Sequence, residues 1–438
     1  MPQRTLAGTD SFPSVVRACP PVAVTQGVAP VAPGSRVARR RLSPGAAFFG
    51  TAGVFAALFF AAGAPTPLLV QYQHKWGFSP GILTVAFASY TLALLAALLT
   101  AGSLSDHLGR RPVIAGALVI ELAAMLVFLV APNVGWVIAG RVVQGLATGI
   151  ATSAFSAAVI ELAPPERKRL GTVIIGSAAA GGLGIGALLT GAAVQFTSDA
   201  NTIVFAALSA AMAAGIAVAV LSHETAPLRP GAARSLMPNV RVPGAARREF
   251  FAGVPVHISA WMLGGLFLGL GPTIIQGVFH IHSGLVEGAT AAIYPLAGSS
   301  AGVLLGRTTP RRTTAIGGAG ILVGAVAIVT GIATHTLPLL LIGGAAGGVG
   351  FGGSFAGGVR LISPLVKQHE RAGVFAGVYV VAYLAFGVPV LVAGQLVSPL
   401  GLVPTVLVYG ALAVLAATAG LIAQQRAGRA ARPARAAR

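Results

Sequence analysis

Few side chains of this chain could do chemistry, and several of them lie inside long apolar runs where an ionisable group is costly. Arg141, Gln144 and Thr148 recur at three- and four-residue spacing, so in a helix they share one face. Burying an arginine in a bilayer costs roughly 2.5–3.5 kcal/mol on insertion scales. Two readings compete for Arg141: a proton-handling group turned inward, or a side chain that snorkels to nearby headgroups. Glu121 stands near the middle of another apolar run. Removal from water favours a protonated carboxyl, which is what a proton carrier needs; a local hydrogen bond to a neighbouring helix is the plainer account. Asp106, Arg110 and Arg111 crowd into a turn bounded by Gly102 and Pro112. There the acid can hold Arg110 and meet a helix N-terminus, while Gly109 permits the turn and Pro112 suits a first helical turn.

A second group is aromatic. His257 and Trp261 stand four residues apart, as do Tyr379 and Tyr383, with Tyr294 in a run of its own. A neutral histidine can hydrogen-bond a ligand or shuttle a proton, and tyrosine offers apolar area plus a hydroxyl. A satisfied core histidine and ordinary core packing are the alternatives. No nucleophile–base spacing and no metal-ligand cluster occurs, so neither catalysis nor a cofactor is expected. The single cysteine, Cys19, excludes an intrachain disulfide.

The elements that must position these residues are membrane spans. Only 9% of the 438 residues are charged and 55% are hydrophobic, against about 25% charged in soluble proteins. Apolar runs recur at 46–70, 80–104, 112–131, 134–161, 170–196, 201–221, 251–275, 284–306, 313–333, 337–360, 372–396 and 401–423. A bilayer crossing takes about 20 such residues, which gives twelve spans. The alternating ten-residue segments of a barrel are absent, so the spans are helices. A net charge of +19 invites a nucleic-acid partner. The basic residues, however, form short clusters between spans without the interleaved aromatics such a partner needs, and none is expected.

Twelve spans put both tails on one side, and that side holds all 29 Lys and Arg except Lys75 and Arg141. The positive-inside rule then makes the tails and the long break at 222–250 cytoplasmic. Residues 1–45, rich in proline and without helical periodicity, read as a disordered basic tail, with a start codon assigned too far upstream as the competing account. Residues 424–438 read as a second basic tail.

The string Gly102, Asp106, Gly109, Arg110, Arg111 between spans two and three resembles the G-x-x-x-D-x-x-G-R-R loop of the major facilitator superfamily. The span count, the position of the loop and the central break agree with that family over residues 46–423. The resemblance implies an all-α membrane protein of twelve transmembrane helices in two six-helix halves, 46–221 and 251–423. The halves would be related by a pseudo-two-fold axis along the membrane normal, with substrate bound near mid-membrane and exposed alternately to each side. It assigns a gating role to Gly102, Asp106, Gly109, Arg110 and Arg111, which Glu161 at the end of span four is placed to join. A reduced copy of the loop, without the acid, stands at 306–312.

Arg141, Gln144 and Gly145 resemble the R-x-x-Q-G pattern of the family's fourth helix, linked in antiporters to proton handling. Arg141, Gln144 and Glu121 are therefore the coupling candidates, although the resemblance puts the third helix, and Glu121 with it, at the periphery. His257, Trp261, Tyr294, Tyr379 and Tyr383 are the cavity candidates. Glu287 reads as a helix N-terminal charge. The partners implied are a small-molecule substrate, protons and the lipid bilayer, for a monomer in the bacterial cytoplasmic membrane. Proton-coupled efflux is the expected activity, with metabolite uptake as the alternative; a sensor would need an output domain, for which no segment is long enough. One departure counts against drug efflux: the antiporter subfamilies carry a Gly-Pro pair in the fifth helix, and span five has no proline. Gly348 to Gly353 satisfies GxGxxG inside an apolar span with no preceding strand, so it reads as close helix packing.

Overall fold

Serine, asparagine and proline mark where the helices start. Ser43 and Ser79 accept the backbone N–H of Ala46 and Ile82, each ahead of a proline that needs no partner for its own nitrogen. Asn133 caps Gly135 and Trp136, and Ser283 caps Val286. In the computed structural model, which describes residues 41–430, these caps open a chain of long helices with no strand among the described residues. The first six are α1 (Pro44–Trp76), α2 (Pro80–Ala101), α3 (Arg110–Val130), α4 (Val134–Leu162), α5 (Lys168–Phe196) and α6 (Ala200–Leu221). The second six are α7 (Gly244–Phe279), α8 (Gly284–Leu304), α9 (Pro310–Ala333), α10 (Leu337–Ile362), α11 (Arg371–Leu400) and α12 (Leu402–Ala430). Eleven of them are long and apolar enough to cross a membrane; α8 is not among the eleven. That helix carries Glu287, Thr290, Pro295, Ser299 and Ser300 and packs against α5 and α10, so protein covers much of its polar surface.

The helices overrun the apolar runs at several ends. Helix α7 begins at Gly244, not near 251, so the central break narrows to 222–243, and α12 continues past 423 to Ala430. Polar turns stay helical there because they hold one another. Arg248 donates to the Ala427 carbonyl at 2.8 Å, and Arg311 pairs with Glu249 at 2.9 Å. Helix α3 begins at Arg110, ahead of Pro112. The expected tails lie mostly outside the described residues.

Contacts sort the helices into two sets of six. Helices α2, α3 and α4 pack together, α5 and α6 pack on α1 and α3, and the second set repeats the scheme around α7. Two pairs make most of the contact between the sets: α5 with α8, and α2 with α11. Advancing each helix by six places exchanges one pair for the other, which is the signature of the pseudo-two-fold axis. Both seams are built for close approach. Side chains added to Gly191 or Gly288 would run into the opposing backbone across α5 and α8, and Thr84 packs where Gly394 lacks a side chain.

Two helices carry irregular backbone within their length. Helix α1 turns at Ala64–Pro65, and because Pro65 has no N–H, the Ala61 carbonyl loses its helical donor. Helix α7 contains Pro255 and a π turn at Leu266–Leu270, just before Pro272.

Candidate functional site

Between the two sets of helices lies a cavity of about 230 Å³. Its walls are the middle and linker-end parts of α1, α2, α4 and α5 on one side and of α7, α8, α10 and α11 on the other. Trp261 is its centre, with the Phe351 ring 5.1 Å, the Tyr383 ring 5.3 Å and the Phe386 ring 5.6 Å away. Tyr379 stacks beyond Tyr383 at 6.0 Å. Trp261, Tyr294, Tyr379 and Tyr383 all line this space. Tyr294 presents only its ring, since its hydroxyl donates to the Ala260 carbonyl at 2.6 Å.

His257 is not brought to the cavity. One turn from Trp261 the helix face has rotated by about 40°, and the ring lies 5.9 Å from Phe355, beside Gly358, which leaves room for it. It faces a smaller space of about 50 Å³ within the second set of helices, together with Glu249, Thr314 and Ser354. Phe351, Phe386 and Tyr90 join the cavity wall and were not singled out by spacing, because isolated aromatics in apolar runs carry no pattern.

The end of the cavity away from the linker is closed. Phe87 of α2 meets Phe386 of α11 at 5.1 Å, and Gln395 donates to the Gly81 carbonyl at 2.9 Å. At the helix ends His74 Nε2 donates to Gln276 Oε1 at 2.8 Å, and Gln276 Nε2 donates to the Glu287 carboxylate at 2.7 Å. Glu287 is buried, so it serves this lock in addition to starting α8. Towards the linker end, Ser177 of α5 donates to the Ser299 carbonyl of α8 at 3.3 Å. Past that point, among the described residues, no side-chain hydrogen bond or ion pair runs directly from a helix of one set to a helix of the other. The cavity is therefore sealed at the His74 end by ring contacts and hydrogen bonds.

Behind the cavity wall sits the charged cluster. Arg141 is only 2% exposed and does not snorkel. Its Nη1 donates to Gln144 Oε1 at 2.5 Å and to the Ala62 carbonyl at 3.1 Å, and its Nε to the Ala86 carbonyl at 3.4 Å. Its guanidinium lies 4.1 Å from the centre of the Tyr90 ring, a cation–π contact. Gln144 Nε2 donates to the Ala61 carbonyl at 2.9 Å and to Glu121 Oε1 at 3.1 Å. The break in α1 supplies the freed Ala61 acceptor. Glu121 thus turns inward from α3 towards α4, fully buried, and its Oε2 has no hydrogen-bond partner among the described residues. Thr148 donates to its own helix at the Gln144 carbonyl.

At the linker end Arg110 gathers acids from three segments. It pairs with Asp106 at 2.5 Å and with Glu161 at 3.2 Å, and donates to Ser105 Oγ at 2.7 Å. The helix N-terminus of α3 is met by Glu224, not by Asp106: the Arg110 and Arg111 N–H groups donate to its two oxygens at 2.7 and 3.1 Å. An anion at a helix start is favoured by the partial positive charge there. Gly109 turns the chain at φ +91°, and a side chain there would strike the Glu224 carboxylate. The Gly102 carbonyl accepts from Ser153 of α4. All these contacts lie within α2–α4 and the start of the linker, and Asp106 reaches no helix of the second set. Glu224 was hidden in sequence because the segment after span six reads as a basic linker; its acid three residues past the span was the available signal.

The chemistry open to this arrangement is binding and proton exchange. The cavity lining carries no Asp, Glu, Lys, Arg or His. Aromatic faces attract a cation by about 0.5–2 kcal/mol, against several kcal/mol for desolvating an unpaired ion.

Comparison with known proteins follows the same lines. The family described as Major Facilitator Superfamily matches residues 48–334. No curated protein matches. Among solved structures, a bacterial homolog of the human lysosomal transporter Spinster, inward-facing and unoccupied, superposes with a TM-score of 0.70 at 14% identity, covering 87% of this chain and 97% of that one. The POT family transporter PepTSo gives a TM-score of 0.71 at 11% identity, over 89% of this chain and 99% of its own. The human organic anion transporter TETRAN gives 0.61 at 19% identity, over 86% and 98%. At these identities the likeness concerns the fold alone.

Proposed function

This chain belongs to the Major Facilitator Superfamily and is a multi-pass membrane transporter; from that premise we propose that it exports a small organic molecule in exchange for protons. The site of action is the bacterial cytoplasmic membrane, with both tails and the linker in the cytoplasm, as the distribution of Lys and Arg requires. The chain works as a monomer, since one chain supplies both walls of its cavity. Gly102, Asp106, Gly109, Arg110, Arg111 and Glu161 form a braced block at the cytoplasmic mouth, which moves as a unit when that mouth closes.

One observation carries the coupling. Glu121 is held by Gln144 at a single oxygen, Gln144 holds Arg141, and Arg141 packs on Tyr90, which lines the cavity. Gain or loss of a proton at Glu121 changes the charge beside that relay, and Tyr90 is where the change meets the substrate. Exchange then needs substrate and proton to bind in competition, with the protein changing its facing only when one of them is bound.

The test uses proteoliposomes and cells that express the chain, with a panel of lipophilic compounds. Glu121→Gln keeps an acceptor for Gln144 but cannot carry a proton. The expected outcome is substrate exchange at near the parental rate with protonophore-sensitive efflux lost. Efflux that survives both Glu121→Gln and a protonophore ends the proton-coupled reading. Protonophore-sensitive accumulation inside cells would select uptake; the missing Gly-Pro pair in α5 counts against drug efflux.

A further inference from the structure

We propose that the transported molecule is uncharged and flat, about two fused rings in size, and carries a hydrogen-bond acceptor. The inference rests on the transporter reading above, and adds the class of substrate to it. Four observations converge on the cavity. Its lining contains no ionisable acid or base other than tyrosine, so a charged solute would lose its water without gaining a counter-ion. Aromatic attraction does not offset that loss for a cation. Arg141 does not serve an anion either, because the Tyr90 ring stands between its guanidinium and the cavity.

The shape is aromatic. The rings of Phe351, Tyr383 and Phe386 surround Trp261 within 5.6 Å, the spacing of edge and offset contacts that a flat molecule can extend. The size is bounded as well. A cavity of about 150 Å³ holds one benzene, so about 230 Å³ accommodates a second ring.

The hydroxyls supply the polar requirement. Tyr294 and Tyr409 both spend theirs on backbone carbonyls, Ala260 at 2.6 Å and Met262 at 2.7 Å. Those of Tyr379 and Tyr383 donate to no acceptor among the described residues, although both rings line the cavity. Both residues are half-buried and neither hydroxyl is sealed from the cavity, so an acceptor on the substrate can take the hydrogen bond that each has free to give.

The experiment is equilibrium dialysis of the purified full chain against four probes on one ring skeleton. These are 2-acetonaphthone, naphthalene, 2-naphthoate and the naphthyl-trimethylammonium ion. Saturable binding of the ketone is expected, at least about tenfold tighter than either ion and about fivefold tighter than naphthalene, the value of one net hydrogen bond. The double variant Tyr379→Phe, Tyr383→Phe should erase the advantage of the ketone over naphthalene. Three results overturn the proposal: an ion bound as tightly as the ketone, no saturable ketone binding, or a ketone advantage that survives the double variant. The ion comparison uses the unsubstituted chain and does not depend on the variant folding. Selective ketone binding without movement across proteoliposomes would overturn the transport reading of the site while leaving its ligand class in place.

Discussion

At the scale of single residues, Gln144 is the joint of the buried cluster. Its amide oxygen accepts a hydrogen bond from the Arg141 guanidinium, and its amide nitrogen donates to the Ala61 carbonyl and to Glu121. Leucine fills a similar volume and offers none of these bonds. Gln144→Leu would strand a buried carbonyl, a carboxyl oxygen and a guanidinium N–H, each costing about 1–3 kcal/mol when left unsatisfied. A clear fall in the thermal unfolding midpoint in detergent is the expected result, with Glu121→Gln close to the parent because its amide oxygen still accepts. An unchanged midpoint for Gln144→Leu would mean that Arg141 and Glu121 find other partners and that the cluster is not one unit. Spacing in the sequence put Arg141, Gln144 and Thr148 on one face. It was silent on Glu121 facing them and on Tyr90 beneath the guanidinium, because both come from other helices and meet α4 only by packing.

At the scale of elements, the proline breaks and the glycine seams divide the labour. Helix α1 bends at Pro65, and the acceptor it frees anchors Gln144. The α5–α8 and α2–α11 seams bring backbones close where the cavity is sealed, and the polar relay His74, Gln276, Glu287 closes that end between α1, α7 and α8. Alternation requires this relay to part. With Cys19→Ser as background, cysteines at His74 and Gln276 joined by a short bis-methanethiosulfonate linker should stop transport, and reductant should restore it. Transport at the parental rate with the linker in place would show that the His74 end does not open there. The apolar runs predicted the spans but not their polar ends, since the turns past residue 423 and before residue 251 are kept helical by Arg248 and Arg311 reaching across the bundle.

For the whole molecule, the segregation of Lys and Arg is the argument for orientation, and it is directly checkable. A reporter active only in the cytoplasm, inserted after Pro230, should be active, and one inserted after Asn133 should be silent; the reverse pattern would invert the topology and with it the direction of export. Composition alone determined that this chain lives in a bilayer. The length of its apolar runs set the number of helices, because a backbone in hydrocarbon must satisfy its own hydrogen bonds. The loop at 102–112 pointed to the family for a related reason, as a tight charged turn leaves a contiguous trace in sequence. Only the tertiary structure decided what faces the cavity. Trp261 and His257 share a sequence spacing with Tyr383 and Tyr379, yet His257 lies in a separate space, because Phe355 and Gly358 of α10 pack against it. Glu224 and Tyr90 take their places through contacts with residues far away in the chain, and such contacts are set by packing between helices, which no single stretch of sequence records.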